Sequence, residues 1–244
     1  GTGLVRANGG RGQFYGGGGG GGRIAIYFQD AVGFDFARVA ASGGAGSDGR
    51  PNGGAGTIYL QGPGRETGEL IADNNDLPST TQSTPLLSTS TDSLALTNLR
   101  VRRGARMKVD DQINLAGALE VSFGAEFIPV KRAIASIISI SNGGIVTQLP
   151  TSGSAFFKVD LSANSLTVDF NSRIDVAAKG FLGGNRPGNP FGSSGMTIGF
   201  QQGSTGKSGG SYGGLGGLSE GAPNPVYGDF RDPNEPGSGG GGGG

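Results

Sequence analysis

The sequence contains no cysteine, no histidine and no tryptophan among its 244 residues. Without cysteine and histidine, the common ligands of transition metals are missing, so only cations that prefer oxygen ligands remain. The Ser-His-Asp and Cys-His catalytic arrangements are excluded for the same reason. The sequence therefore predicts that the protein is not an enzyme and that it holds no cofactor, with calcium as the one ion left to consider.

Excess charge of either sign is also missing. Nineteen Lys and Arg residues balance nineteen Asp and Glu residues, whereas nucleic-acid binding depends on a basic surface that neutralises phosphates. The most apolar run, residues 133–149, is interrupted by serine, asparagine and glycine and is too short and polar to cross a bilayer. We expect neither nucleic-acid binding nor membrane insertion.

Glycine is what the sequence has in excess, with 53 residues beside 12 prolines. Composition divides the chain into a glycine-rich β segment (1–68), a β-strand core (69–180) and a glycine-rich segment with a polyglycine tail (181–244). In the middle zone apolar residues alternate with polar ones, which is typical of short strands with one buried face. No stretch of helical length shows a sustained apolar spacing of three and four. We expect these zones to form one continuous unit with almost no α-helix.

The alternation predicts one continuous core of inward-facing side chains: Leu94, Leu96, Val101, Val109, Leu115, Val121, Val168, Phe170 and Val176. Short strands with glycine-rich corners favour an all-β fold, a right-handed parallel β-helix or β-solenoid, because each turn of such a coil buries only a few side chains per strand. A β-sandwich is the alternative, since the middle zone has the size of one.

The runs 16–22 and 239–244 consist of glycine alone. Homopolymeric glycine behaves as a flexible linker in most settings. The alternative is polyglycine-II, extended three-fold helices packed side by side, in which only glycine fits where chains touch, as at the axis of collagen. Both interpretations stay open at the level of sequence.

Four glycine-rich phrases resemble the repeat regions of very large bacterial surface and secreted proteins: GGGGGGGRIAIYF (16–28), GGAGSDGRPNGGAGTIYL (43–60), RIDVAAKGFLGG (173–184) and YGDFRDPNEPGSGGGGGG (227–244). The resemblance covers about half of the chain and transfers no catalytic residue. It implies a right-handed parallel β-helix, secretion to the cell surface, and a role in adhesion or extracellular matrix. We therefore expect a structural subunit or repeat unit of an extracellular filament, surface fibre or matrix adhesin.

Oxygen-rich side chains cluster near the end of the sequence, where Asp229, Asp232, Asn234 and Glu235 make a candidate calcium site. A hard cation takes several carboxylate and carbonyl oxygens from a short loop. The alternative is a solvated turn, because Asn, Asp and Pro favour turns for backbone reasons alone.

Two further clusters bear on rival functions. Asp110 and Asp111 suggest the paired carboxylates of a β-helical polysaccharide lyase or hydrolase, but adjacent residues on a strand point to opposite faces. The basic cluster (Arg100, Arg102, Arg103, Arg106 and Lys108) could bind an acidic polysaccharide or an acidic face of a neighbouring subunit, and a carbohydrate-binding surface module is the rival function in the binding class. A solvated or edge-protecting face is the alternative for the basic cluster.

Finally, the two ends of the sequence predict self-association. The chain begins with a glycine-led strand phrase (Gly1, Gly3, Leu4) and finishes in glycines (Gly239 to Gly244). Neither end carries the polar cap that keeps natural solenoids monomeric. We expect the main partner to be the protein itself, either as a head-to-tail homopolymer or as tandem repeats.

Overall fold

The β-branched runs between the glycines form strands, and the fold is all-β with mostly parallel sheets. The structure is a computed structural model that describes residues 3–79, 81–86 and 94–242. Within these residues the only helical elements are two short 3₁₀ turns, Phe36–Arg38 and Ile198–Phe200. The chain divides into two compact units. Unit 1 comprises Gly1–Thr147 with Val159–Asp175, and unit 2 comprises Gln148–Lys158 with Val176–Gly244.

Unit 1 contains two main sheets. Sheet 1 has eight strands: β2 (Arg23–Tyr27), β4 (Thr57–Gln61), β5 (Glu69–Asp73), β7 (Leu94–Leu96), β8 (Asn98–Arg102), β10 (Ile113–Ser122), β12 (Ala133–Ser141) and β14 (Leu161–Val168). Sheet 2 has five: β6 (Thr84–Leu86), β9 (Arg106–Val109), β11 (Glu126–Pro129), β13 (Ile145–Val146) and β15 (Arg173–Ile174). A separate parallel pair consists of β1 (Val5–Arg6) and β3 (Val39–Ala40).

From β8 to β15, successive strands alternate between the two sheets. Each strand pairs in parallel with the strand two positions later in the chain, so equivalent inward side chains stack in columns. One such column runs from Leu99 through Leu119 to Ile138, all fully buried. In sheet 1 the parallel order breaks only between β4 and β5, which are antiparallel.

The alternation predicted most of the core correctly. Leu96, Val101, Val109, Leu115 and Val121 are buried in one cluster with residues of both sheets, and Leu94 packs against it.

Three members of the predicted inward set are exposed, and for them the prediction is wrong. Val168 is 40 % exposed because β14 lies at the edge of sheet 1 with a neighbour on one side only. Phe170, 99 % exposed, lies in the turn that follows β14, and Val176, 44 % exposed, lies beyond β15 and outside both sheets.

Unit 2 has little regular structure beyond the antiparallel pair β16 (Met196–Thr197) and β17 (Gln201–Gln202). Phe156, Phe181 and Phe200 pack together with ring centroids 5.5–6.2 Å apart. Glycine-rich segments contact one another through their backbones: a β-carbon at Gly195 would lie 2.0 Å from the carbonyl oxygen of Gly239. Segments of this unit that carry no strand are therefore still closely packed.

Candidate functional site

The glycine-rich part of unit 1 forms four extended segments, which we call the glycine arms: arm A (7–12), arm B (16–22), arm C (41–47) and arm D (51–56). Arms A and C directly follow strands β1 and β3, whereas arms B and D lead directly into β2 and β4. None of the glycines in these arms has a positive φ. The arms are therefore extended continuations of paired strands.

Hydrogen bonds between the arms recur at every third residue. The amides of Gly9 and Gly12 in arm A each donate over 2.8 Å to carbonyl oxygens of arm C. The same interval joins the other pairs of arms: Gly18 to Pro51 and Gly21 to Gly54, Gly19 to Gly10 and Gly22 to Ala7, Gly44 to Gly19 and Ser47 to Gly16, and Gly53 to Gly44 and Gly56 to Ala41. Antiparallel strands would give bonds at every second residue instead.

The room for a side chain in arm B follows the same period. A β-carbon at Gly18 would lie 1.8 Å from the carbonyl oxygen of Gly44, and one at Gly21 would lie 2.1 Å from a carbonyl oxygen of arm C. At Gly17 and Gly20 the nearest atoms would be 3.5 and 4.0 Å away. One column of the run therefore requires glycine within this chain, and another does not.

The arms reveal an internal repeat that our reading of the sequence missed. Val5 pairs with Val39 and Arg23 pairs with Thr57, in both cases residues 34 positions apart. The signal is present in the sequence as Val-x-Ala-Asn/Ser-Gly-Gly-x-Gly, which begins at both Val5 and Val39. The repeat is hard to detect in a glycine-rich sequence, because glycines match one another at many different shifts when the sequence is compared with itself.

At the opposite edge of sheet 1, the columns of inward side chains reach an open end. Ile138, Ile140 and Val146 are fully buried. The next side chains of the same columns are 52, 40 and 40 % exposed, and they are Leu166, Val168 and Ile174 respectively. The last strands of both sheets thus present inward-type apolar side chains that no further strand among the described residues covers.

The turn that joins β14 to β15 is hydrogen-bonded to the turn that joins β12 to β13. The Asp169 carboxylate accepts a hydrogen bond from the amide of Asn142 over 2.6 Å and another from the amide of Asn171. The Ser172 hydroxyl and the Asn142 amide hold the pKa of the Asp169 carboxyl below its usual value. The open end is therefore anchored at its corner.

The predicted basic cluster is paired with carboxylates of unit 1 itself. Arg102 and Arg103 both reach Asp73, at 2.7 and 2.8 Å, and the Asp73 side chain is only 7 % exposed. A hydrogen bond to Asp73 raises the pKa of Arg103. The remaining pairs are Arg100 with Glu69 and Glu120, Arg106 with Glu126, and Lys108 with Asp110. The positive charge of this cluster, which is divided between β8 of sheet 1 and β9 of sheet 2, is therefore balanced within the chain.

We expect Asp73→Ala to lower the free energy of unfolding by about 1.5–3 kcal/mol, because charge-assisted hydrogen bonds from two arginines are lost. Asp73 also accepts the amide of Asn75, so the turn after β5 loses its tether. Urea unfolding monitored by circular dichroism measures the change. Glu66→Ala, at an exposed position, is the control, and its free energy of unfolding should stay within about 0.5 kcal/mol of the wild type. If Asp73→Ala and Glu66→Ala destabilised the protein equally, the ion pairs of Asp73 would have no special role in stability.

Asp110 and Asp111 are each engaged with a lysine rather than with each other. Asp110 lies 2.9 Å from Lys108 and Asp111 lies 3.4 Å from Lys131. An acid and base that share one substrate bond need their carboxyl groups to face a common space. This arrangement gives no support to a polysaccharide-cleaving site.

The candidate calcium ligands make other contacts. Asp229 accepts from the amide of Arg231 over 2.7 Å, and Asn234 accepts from Lys158 and donates to the carbonyl of Asp232. Glu235 lies beside Tyr212, whose pKa is raised by burial and by the Glu235 charge. Within residues 3–79, 81–86 and 94–242, no group of three or more Asp, Glu, His or Cys side chains is gathered to hold a metal. Calcium binding stays a prediction.

The residues predicted for self-association lie in different settings. Gly1 and Gly244 are outside the described residues. Gly3 and Leu4 directly precede β1, and Leu4 is half exposed. Gly239 is buried, and its amide donates to the carbonyl of Met196 over 2.9 Å. Of these residues, Gly3 and Leu4 lie on the surface.

No family model matches the chain, and no curated protein or solved structure is significantly similar to it. In the part of the chain that the structure describes, no helix has the length and apolar character to span a membrane. The case for a function therefore depends on the geometry of the strands and the glycine arms.

Proposed function

We propose that this protein is a structural repeat unit or subunit of an extracellular filament, surface fibre or matrix adhesin, and that it is not an enzyme. The resemblance of its glycine-rich phrases to bacterial secreted and surface proteins supports this role and location. We further propose that the alternating strands of sheets 1 and 2 form a right-handed β-solenoid. The parallel pairing and the continuous columns of buried side chains support that architecture.

We also propose that the glycine arms are polyglycine-II helices. Hydrogen bonds between arms at three-residue intervals, and glycines without a positive φ, fit such helices, which turn every three residues as polyproline II does. In this conformation the arms act as rigid spacers rather than as linkers. A rigid spacer beside a stack of strands suits a filament.

The open end of the columns carries the functional proposal. Leu166, Val168 and Ile174 occupy inward positions and remain exposed, so burying them requires another strand layer. The other edge of sheet 1 is β2, which runs antiparallel to β14 because the order reverses between β4 and β5. Edge strands with unpaired backbone groups invite pairing. A contact between two different edges repeats indefinitely unless it closes into a ring.

We expect the purified chain to assemble into fibres, and we expect the double variant Leu166→Lys/Val168→Lys to form no fibres. Two charges at the open end would have to be buried without partners in any stacked contact. Sedimentation velocity and electron microscopy over a range of concentrations measure assembly.

The control is Val32→Lys, which places one such charge at a position that is 92 % exposed and outside the columns. It should assemble like the wild type. A wild-type chain that remains monomeric at high concentration, or a double variant that assembles normally, would show that the open end has no such role.

A further inference from the structure

A groove of about 460 Å³ lies beside arms B and D in unit 1. Its floor includes Gly17, Gly20 and Gly54, and its opposite wall is the segment Thr81 to Pro85. That segment contains part of β6, which among the described residues pairs with β9 alone, at the edge of sheet 2. Thr84 is fixed there by donating from its hydroxyl to the carbonyl of Ala55. The groove is thus bounded on one side by extended glycine and on the other by a sheet edge.

The glycines on the floor of the groove have no steric reason, within this chain, to be glycine. A β-carbon at Gly17, Gly20 or Gly54 would approach no atom of the described residues closer than 3.5 Å. Within the described residues, the amides of Gly17 and Gly20 also donate no hydrogen bond, whereas those of Gly18, Gly19, Gly21 and Gly22 all do. Gly17 and Gly20, which are three residues apart, therefore each combine space for a side chain with an amide that donates no hydrogen bond within the described residues.

We propose that this groove binds an extended glycine-rich segment in the three-residue-period conformation, and that its occupant is the loop 213–218 (GGLGGL) of a second copy of this chain. The proposal rests on the structural role proposed above and adds a second contact between copies, separate from the open end. A backbone laid in the groove would place carbonyl oxygens opposite the free amides of Gly17 and Gly20. No side chain would intervene, which explains why both positions are glycine.

The sequence of the loop 213–218 repeats every three residues, as Gly-Gly-Leu-Gly-Gly-Leu. Leu215 and Leu218 are three residues apart and each is 76 % exposed. A β-carbon at Gly213, Gly214 or Gly217 would meet nothing within 4 Å, whereas one at Gly216 would lie 2.2 Å from the carbonyl oxygen of Gly209, so the loop is open at three of its four glycines.

In a three-residue helix the two leucines lie in one column, about 9.3 Å apart along the axis. This is also the spacing of Gly17 and Gly20 in an extended arm. The apolar lining of the groove, Pro51, Ala55 and Pro85, would receive the leucines.

The test is the binding of a labelled peptide, Ser-Tyr-Gly-Gly-Leu-Gly-Gly-Leu, to the full chain, measured by fluorescence anisotropy. We expect saturable binding, and we expect Gly20→Phe to weaken it at least tenfold because the new ring fills the groove. The variant should fold, since the nearest atom to its β-carbon is 4.0 Å away, and an unchanged melting temperature verifies this. The control Gly10→Phe substitutes a glycine that is equally open but does not line the groove, and it should bind normally.

Hydrogen exchange gives a second readout, because the amides of Gly17 and Gly20 should exchange fast in the free protein and slowly with the peptide. Absence of binding at millimolar peptide, or equal binding to Gly20→Phe, would overturn the proposal. Equal affinity for hexaglycine would overturn the assignment to the second-copy loop. If no peptide binds while the wild type still forms fibres, the groove proposal alone fails, and the structural function stands.

Discussion

Gly18→Ala is expected to disrupt the packing of the glycine arms, although it adds a single methyl group. The new β-carbon would lie 1.8 Å from the carbonyl oxygen of Gly44 and 2.8 Å from the amide nitrogen of Gly53. Both atoms belong to the backbone of neighbouring arms, so no side-chain rotation can relieve the contact. Overpacking a tight interior costs about 1–3 kcal/mol and occasionally more. We expect at least about 3 kcal/mol here, because two arms must move apart.

The neighbouring substitution Gly17→Ala supplies the matched control. Its β-carbon would have ordinary contact at 3.5 Å, and the φ of Gly17 is not positive. Replacing glycine by alanine at a compatible position stabilises a protein by about 0.4–1 kcal/mol, since the unfolded chain loses freedom. The two variants should therefore shift the melting temperature in opposite directions. Similar shifts for both would mean that arm B is a linker.

The alternation in the sequence predicted buried side chains correctly in strands that have neighbouring strands on both sides. Val101, Leu115 and Val121 follow a two-residue period, and all three are buried because strands lie on both sides of them. The same period misleads at Val168. Alternation records which face a side chain occupies, but it carries no information on whether another strand covers that face.

The glycine arms could not be predicted for a different reason. A run of identical residues has no pattern from which a face or a period can be inferred, so linker and packed helix look alike in sequence. The distinction arises from contacts between remote segments, such as the bond from Gly44 to Gly19. The 34-residue repeat was detectable in principle, through the valine and alanine that lead each copy, at Val5 and Val39.

Ion pairing of the basic cluster also depends on register. Arg102 lies opposite Asp73, and Arg106 lies opposite Glu126, on strands that are 20 or more residues apart in the chain. Counting charges in one segment suggests a surface for an acidic partner. Register instead brings carboxylates of the same unit to those arginines, and surface pairs of this kind add little stability except where they are buried, as at Asp73.

The columns of sheet 1 predict that one substitution has very different effects on two adjacent strands. Ile140 and Val168 face each other in register in β12 and β14, and both point inward. Ile140 is fully buried, whereas Val168 is 40 % exposed. We expect Ile140→Asp to lower the free energy of unfolding by more than about 4 kcal/mol, because it buries an unpaired charge and removes core packing. Val168→Asp should cost less than about 1 kcal/mol, because its carboxylate reaches water.

Urea unfolding of the dispersed chain measures both variants, and Ile140→Val, which should cost about 0.5–1.5 kcal/mol, calibrates the site. A Val168→Asp variant as unstable as Ile140→Asp would show that the open end is covered within a single chain. Repeating the comparison on assembled protein separates packing from assembly. If a second copy covers β14, Val168→Asp leaves the isolated chain intact and raises the concentration at which fibres form. If the open end is a contact between copies, Val168→Asp should destabilise only the assembled protein, because Val168 becomes buried only in that state.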